Sequence, residues 1–270
     1  MTAPLTRPDD ALVSEQQDGP IRQLVLNRPQ ARNSLSLAML DRLEEALARA
    51  GADSQTKVII LAANGVGFCA GHDLKELTAA RSQPDHGRAF FEQTMGRCAA
   101  VMQAIVHSPK PVIARVQGIA TAAGCQLVAS CDLAVASTQA RFATPGVHIG
   151  LFCSTPMVAL SRTVGRKQAM EMLLTGEMIS AEQALEWGLV NRVCAPDQLA
   201  QKTDELAQII AAKPAFTVKT GKQAFYRQAE MGLAEAYDYT AAVMVDNMLA
   251  REAEEGIGAF LEKRPPNWSS

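Results

Sequence analysis

The run Gly118-Ile119-Ala120-Thr121-Ala122-Ala123-Gly124 constrains this chain more than any other stretch. An apolar segment of strand character, 111–116 (P-V-I-A-R-V), precedes it, and a helical pattern from Cys125 to Ser130 follows. A strand that passes through small residues straight into a helix leaves its turn open to close approach by another backbone or by a ligand. The helix start adds partial positive charge and N–H groups without intrahelical partners. Such a junction has the geometry of an oxyanion hole.

Strand–turn–helix units of this kind recur, without a sequence repeat. A hairpin-like pair comes first, Leu12–Glu15 and Ile21–Leu26, turning near Asp18-Gly19-Pro20. Ser36 is placed to N-cap a helix carrying Leu40, Leu43 and Leu47, which Gly51 is expected to close. Residues 57–62 (K-V-I-I-L-A) read as a buried strand, Asn64-Gly65-Val66-Gly67 as a turn, and Arg88–Val106 as a long helix. Asp132–Ala136 is another strand, and helical material resumes from Leu151. Ser180-Ala181-Glu182-Gln183 has the form of a capping box, with Gly188 as the stop. From Asp197 almost everything reads helical, with breaks at Lys213-Pro214 and Met231-Gly232. The expected organisation is a flexible tail over residues 1–12, an α/β core over 13–196, and a helical region over 197–270.

Composition excludes several classes. A net charge of −2 gives no reason to expect nucleic acid or an anionic membrane as partner. No apolar run approaches the length that spans a bilayer. The six cysteines form no C-x-x-C pair, so free thiols are expected rather than disulfides or a metal site. Met1–Asp10 has neither an apolar signal core nor an arginine-rich character, which points to a cytoplasmic location.

Two motifs carry a family resemblance. The run continued through Cys125-Gln126-Leu127 resembles the pattern G-x-A-x-G-G-G-C-E-L of the crotonase superfamily, the enoyl-CoA hydratase/isomerase group. Phe68-Cys69-Ala70-Gly71-His72-Asp73-Leu74-Lys75-Glu76 resembles its F-x-A-G-A-D-x-K-E. The resemblance covers nearly the whole chain beyond the first dozen residues. It implies a spiral of ββα units, with C-terminal helices used in assembly of a homotrimer or hexamer. It also implies an acyl-CoA ligand and a lyase role in fatty acid metabolism. No separate cofactor is implied, since coenzyme A is part of the substrate.

Carried over residue by residue, the resemblance makes the backbone N–H groups of His72 and Ala123 the two oxyanion donors. Asp73 would brace the first loop. Asn27-Arg28-Pro29-Gln30-Ala31-Arg32-Asn33-Ser34-Leu35 resembles the N-R-P-x-x-x-N-A-L loop that carries the CoA, and Gly258–Arg264 resembles the C-terminal A-F-x-E-K-R. Arg28, Ala31, Arg32, Ala70, Lys75, Phe260 and Lys263 become the expected CoA contacts, and a cluster of such cations suits phosphate.

The acid–base positions depart from the family. Hydratases place and activate water with two glutamates, and here those positions hold Gln126 and Gly146. Glutamine can hold a water but cannot take its proton, and glycine can do neither. Ordinary hydration is therefore not expected, and Gln126→Glu with Gly146→Glu is expected to raise it. The candidate substitutes are the imidazoles of His148 and His72. The naphthoate synthases of the superfamily also have glycine at the second position, where bicarbonate serves as base. Two alternatives stay open: a non-catalytic acyl-CoA-binding protein or subunit, and a thioester hydrolase using Cys153, Ser154 or Thr155.

Overall fold

The computed structural model describes residues 11–268. The expected tail falls, over residues 1–10, outside them. Ala11 and Leu12 are not tail: their carbonyls accept from Asn27 Nδ2 (3.1 Å) and Asn27 N (2.8 Å), pinning the chain to the end of the second strand.

The strands are β1 (Val13–Asp18), β2 (Ile21–Leu26), β3 (Val58–Ala63), β4 (Val112–Val116), β5 (Ile119–Thr121), β6 (Leu133–Ser137), β7 (Arg141–Ala143), β8 (Ile179–Ser180) and β9 (Arg192–Cys194). A sheet of order β1-β2-β3-β4-β6-β9 is parallel except for the β1–β2 hairpin. A small second sheet has order β5-β7-β8. The chain passes from β4 in the large sheet to β5 in the small one, back to β6, and on to β7. Each turn of this path places one strand in each sheet, which is the spiral the resemblance implies.

The helices are α1 (Leu37–Ala52), α2 (Leu74–Ala80), α3 (Arg88–His107), α4 (Ala123–Ser130), α5 (Ser154–Thr163), α6 (Arg166–Thr175), α7 (Ala181–Glu186), α8 (Leu199–Ala211), α9 (Ala215–Gln228), α10 (Leu233–Met248) and α11 (Arg251–Glu262). Ser36 caps α1 as expected, its hydroxyl accepting from Met39 N at 3.1 Å. Gly51 does not close that helix. It lies inside the last turn, where its bare Cα leaves room for Pro109; a methyl there would touch Pro109 Cδ at 3.4 Å.

Period-2 alternation explains the unbroken apolar run of β3. Ile59 and Leu61 face a core with Leu40, Leu43 and Leu47 of α1, whereas Val58, Ile60 and Ala62 face the opposite layer. Leu199, Leu206, Ala207 and Ala211 of α8 fill that layer. A parallel sheet covered on both faces needs such continuous apolar strands. The first helix after Asp197 is thus part of the sandwich, so the core extends past the expected boundary at 196. Helices α9 to α11 follow, with a further break at Leu249-Ala250.

A half-buried ion pair anchors α9. Lys222 Nζ lies 2.7 Å from Asp132 Oδ2 and donates to the Ile105 and Lys110 carbonyls, and Tyr226 donates its hydroxyl to Asp132 Oδ1 at 2.9 Å. Asp132 directly follows the C-cap of α4, so the helical tail is tied to the back of the junction helix.

Candidate active site

The loop 64–73 is laid against the run 117–124 by backbone and amide bonds. Gln117 Nε2 donates to the carbonyls of Ala63, Gly65 and Gly67, and Asn33 Nδ2 to those of Asn64 and Gly67. Cys69 N donates to Ile119 O, and Thr121 N to Cys69 O at 2.9 Å. Two glycines are dictated by this approach: a methyl on Gly118 would sit 2.1 Å from Val66 O, and one on Gly124 the same distance from Cys69 O. Sequence reasoning passed over Gln117 and Asn33 as loop braces, because an amide's partners are set by the fold.

Gly71, at φ +90°, turns its bare Cα toward Ala122 and Ala123. A methyl on Gly71 would meet Ala122 Cβ at 2.9 Å and Ala123 N at 3.4 Å, so the 71–72 peptide and the start of α4 confront each other. The N–H of His72 and that of Ala123, the first residue of α4, have no hydrogen-bond acceptor among the described residues. Ala123 has negative φ, so replacing the family's glycine there is free of strain. The strain falls one residue earlier: Ala122 holds φ 50°, ψ −119°. Its N–H is tied to Ala143 O at 2.9 Å, which fixes the turn.

The bridge between Leu35 and His72 places their side chains on one face. Burial lowers the pKa of the His72 imidazole below its ordinary value, and the nearby Leu35 carbonyl opposes the shift without reaching hydrogen-bond geometry. Both ring nitrogens are shut off from solvent and have no hydrogen-bond partner among the described residues. Asp73 faces the other way. It N-caps α2 by accepting from Lys75 N and Glu76 N, and pairs with Arg28 at 2.6 Å. Burial pushes its carboxyl up, but the Arg28 bond and the two N–H bonds outweigh that and hold it below its ordinary value. Arg28 is therefore a strap within the protein.

The acid–base positions are filled, not merely vacated. Gln126 is buried, its Oε1 accepting from Cys98 Sγ of α3 at 3.8 Å. At Gly146 a methyl would lie 2.8 Å from Leu151 O and 2.9 Å from Cys153 Sγ. The segment after the 3-10 turn Pro145–Ile149 folds back against Gly146, with Leu151 N donating to Gly146 O at 2.9 Å. This corrects the expectation that Gly146→Glu would restore hydration, since a backbone carbonyl must move first. His148 is exposed and its ring lies beside Gly176. Cys153 is buried, and burial raises its thiol pKa, which removes it as a ready nucleophile. The Ser154 hydroxyl turns to the Phe152 carbonyl.

Of the expected CoA contacts, Ala31, Arg32 and Ala70 are brought together. Ala70 N donates to Arg32 O at 3.0 Å, and the exposed Arg32 sits at φ 52° beside Ala31. Lys75 is exposed on the first turn of α2. Phe260 is 82% exposed, and Lys263 is exposed at the C-cap of α11.

A family model described as Enoyl-CoA hydratase/isomerase matches residues 16–270. The rat (Rattus norvegicus) protein named "Enoyl-CoA hydratase domain-containing protein 3, mitochondrial" is 49% identical over 256 residues, 95% of this chain and 83% of its own length. A crystal structure of an enoyl-CoA hydratase from Mycobacterium smegmatis superposes with TM-score 0.92 at 52% identity, covering 97% of this chain and all of that one. The human enoyl-CoA hydratase domain-containing protein 3 gives TM-score 0.91 at 48% identity, with 96% and 100% covered. The cytoplasmic expectation is overturned: the relatives of that name from Rattus norvegicus, Mus musculus, Xenopus laevis, Homo sapiens and Danio rerio are all named mitochondrial. It rested on residues 1–10 alone, and a targeting segment is independent of the packed fold.

Proposed function

This chain belongs to the enoyl-CoA hydratase/isomerase family, and from that premise we propose that it binds acyl-CoA thioesters with the carbonyl oxygen between His72 N–H and Ala123 N–H. The two N–H groups without an acceptor among the described residues, brought near each other where Gly71 abuts Ala123, support this reading. Fixed backbone donors stabilise charge as the thioester becomes an enolate, and each is typically worth about 10²–10³ in rate. Arg32 and Lys75, exposed beside the loop, would meet the phosphates.

Hydration by paired carboxylates is not part of the proposal. Gln126 cannot accept a proton, and a side chain at Gly146 would crowd the Leu151 carbonyl. The same observations favour a second reading, in which the protein holds thioesters without turning them over. Assembly into a trimer or hexamer is supported by the exposed apolar side chains of the tail, among them Leu233, Tyr237, Leu249 and Phe260.

Titration with crotonyl-CoA and with CoA, alongside the enoyl-thioester absorbance, tests the reading. Tighter binding of the thioester with little or no absorbance loss is the expected result. Failure to bind either ligand overturns it, and hydration at the rate of ordinary hydratases overturns the claim that the acid–base groups are lost.

A further inference from the structure

Residues 112–132 form a unit that is closed on itself at its base. Asp132 N donates to Val112 O at 3.0 Å, and Val112 N donates back to Asp132 Oδ2 at 2.6 Å. Between these ends the chain runs through β4, β5, the turn at Ala122 and α4. Every residue of α4 is buried, so the helix is held by packing along its whole length. Its first residue is Ala123, and Asp132 stands just past its C-cap, Cys131. The seat of Asp132 therefore bears on where the Ala123 N–H lies.

Residues from outside the unit set that seat. Lys222 Nζ lies 2.7 Å from Asp132 Oδ2, and the Tyr226 hydroxyl donates to Oδ1 at 2.9 Å. Burial pushes the Tyr226 phenol up, so it stays a donor. Lys222 also donates to Ile105 O in the last turn of α3 and to Lys110 O just before β4. One ammonium thus joins the end of α3, the start of β4 and the end of α4, using all three of its protons. The Lys222 side chain is only 6% exposed, and taking an ammonium out of water is costly. Apolar packing would attach α9 more cheaply, yet Ala224 is the one residue of that helix that is buried. A costly polar cluster where an apolar contact would serve indicates that its exact geometry is used.

We propose that Lys222 and Tyr226 are positioning residues for the Ala123 donor. Through Asp132 they fix α4 against β4, and with it the place of the thioester oxygen. The assignment rests on the acyl-CoA reading above and extends it to the helical tail. The His72 donor lies on a separate loop, braced by Gln117 and Asn33, and stays where it is.

The test is the carbonyl stretch of bound butyryl-CoA, ¹³C-labelled at the carbonyl, in isotope-edited infrared spectra. The wild-type protein should lower the stretch, and Lys222→Met should lose about half of that lowering, since one of two donors is displaced. Tyr226→Phe, which removes a single hydroxyl and keeps the ion pair, should lose a smaller part. The Kd for butyryl-CoA should weaken about threefold to tenfold in Lys222→Met, with the Kd for CoA unchanged. Leu206→Ala, in the layer across the sheet, is the control: it should lower Tm and leave the stretch alone. If Lys222→Met does not fold, Tyr226→Phe decides. A stretch unmoved by Tyr226→Phe and Lys222→Met, or moved as far by Leu206→Ala, overturns the proposal and makes the cluster an anchor only. If the wild-type protein binds butyryl-CoA without lowering the stretch, the two-donor reading falls, and this assignment with it.

Discussion

Replacing Ala122 by glycine should stabilise the protein, although glycine usually does the reverse. Ala122 holds φ 50°, ψ −119°, a region that side chains bearing a Cβ rarely occupy. Backbone strain of this kind costs about 1–3 kcal/mol. Ala122 is also the N-cap of α4 and makes no side-chain cap bond, and glycine is the better cap of the two. Against this, glycine loses more backbone freedom on folding, about 0.5–1 kcal/mol. The net expectation is about 1 kcal/mol of stabilisation, hence a Tm rise of about 2–4 °C for a chain of this size. Ala123→Gly is the control. At negative φ it has no strain to relieve, so it should lower Tm by a similar amount. Thermal unfolding of both variants by circular dichroism decides the matter. If Ala122→Gly lowers Tm as much as Ala123→Gly does, the turn is not strained and the geometry assigned to the hole is wrong.

Gly124→Ala would force a methyl within 2.1 Å of the Cys69 carbonyl, so a loss of about 3 kcal/mol or more is expected, read as a lower Tm and faster exchange of the Thr121 amide. Lys222→Met should cost about 1–3 kcal/mol, because it removes the cation from a half-buried Asp132 carboxylate that keeps only its Tyr226 and Val112 donors. Urea unfolding should show Lys222→Met with Asp132→Asn to be less damaged than Lys222→Met alone. Asp73 is held below its ordinary value of 3.8, so its contribution is complete above that pH and is lost as pH falls through the folded value. Asp73→Asn should therefore destabilise at neutral pH by about 1–2 kcal/mol and flatten the decline of stability below about pH 3.8.

Much of this was legible in the chain because it depends on local rules. The capping serine at 36, the apolar run of β3 and the glycine stop at 188, with φ +84°, follow from dihedral preferences and burial. The proposal of His72 N–H and Ala123 N–H comes from the resemblance of two motifs to the family's pattern rather than from such local rules. Three-residue β5 was not legible, since its pairing with β7 is non-local and its sequence is that of a turn. Nor could the sequence show that Leu151 O crowds Gly146, or that His148 lies beside Gly176, because both depend on how the chain returns after the 3-10 turn. Gly51 misled because a glycine near a helix end looks the same whether it ends the helix or admits a neighbour such as Pro109.

The central claim is that two backbone N–H groups, of His72 and Ala123, hold a thioester oxygen. Isotope-edited infrared spectroscopy of butyryl-CoA labelled with ¹³C at the carbonyl tests it most directly. Two converging donors should move the carbonyl stretch of the bound thioester below its value in water. A bound thioester whose stretch stays at or above the aqueous value would contradict the assignment.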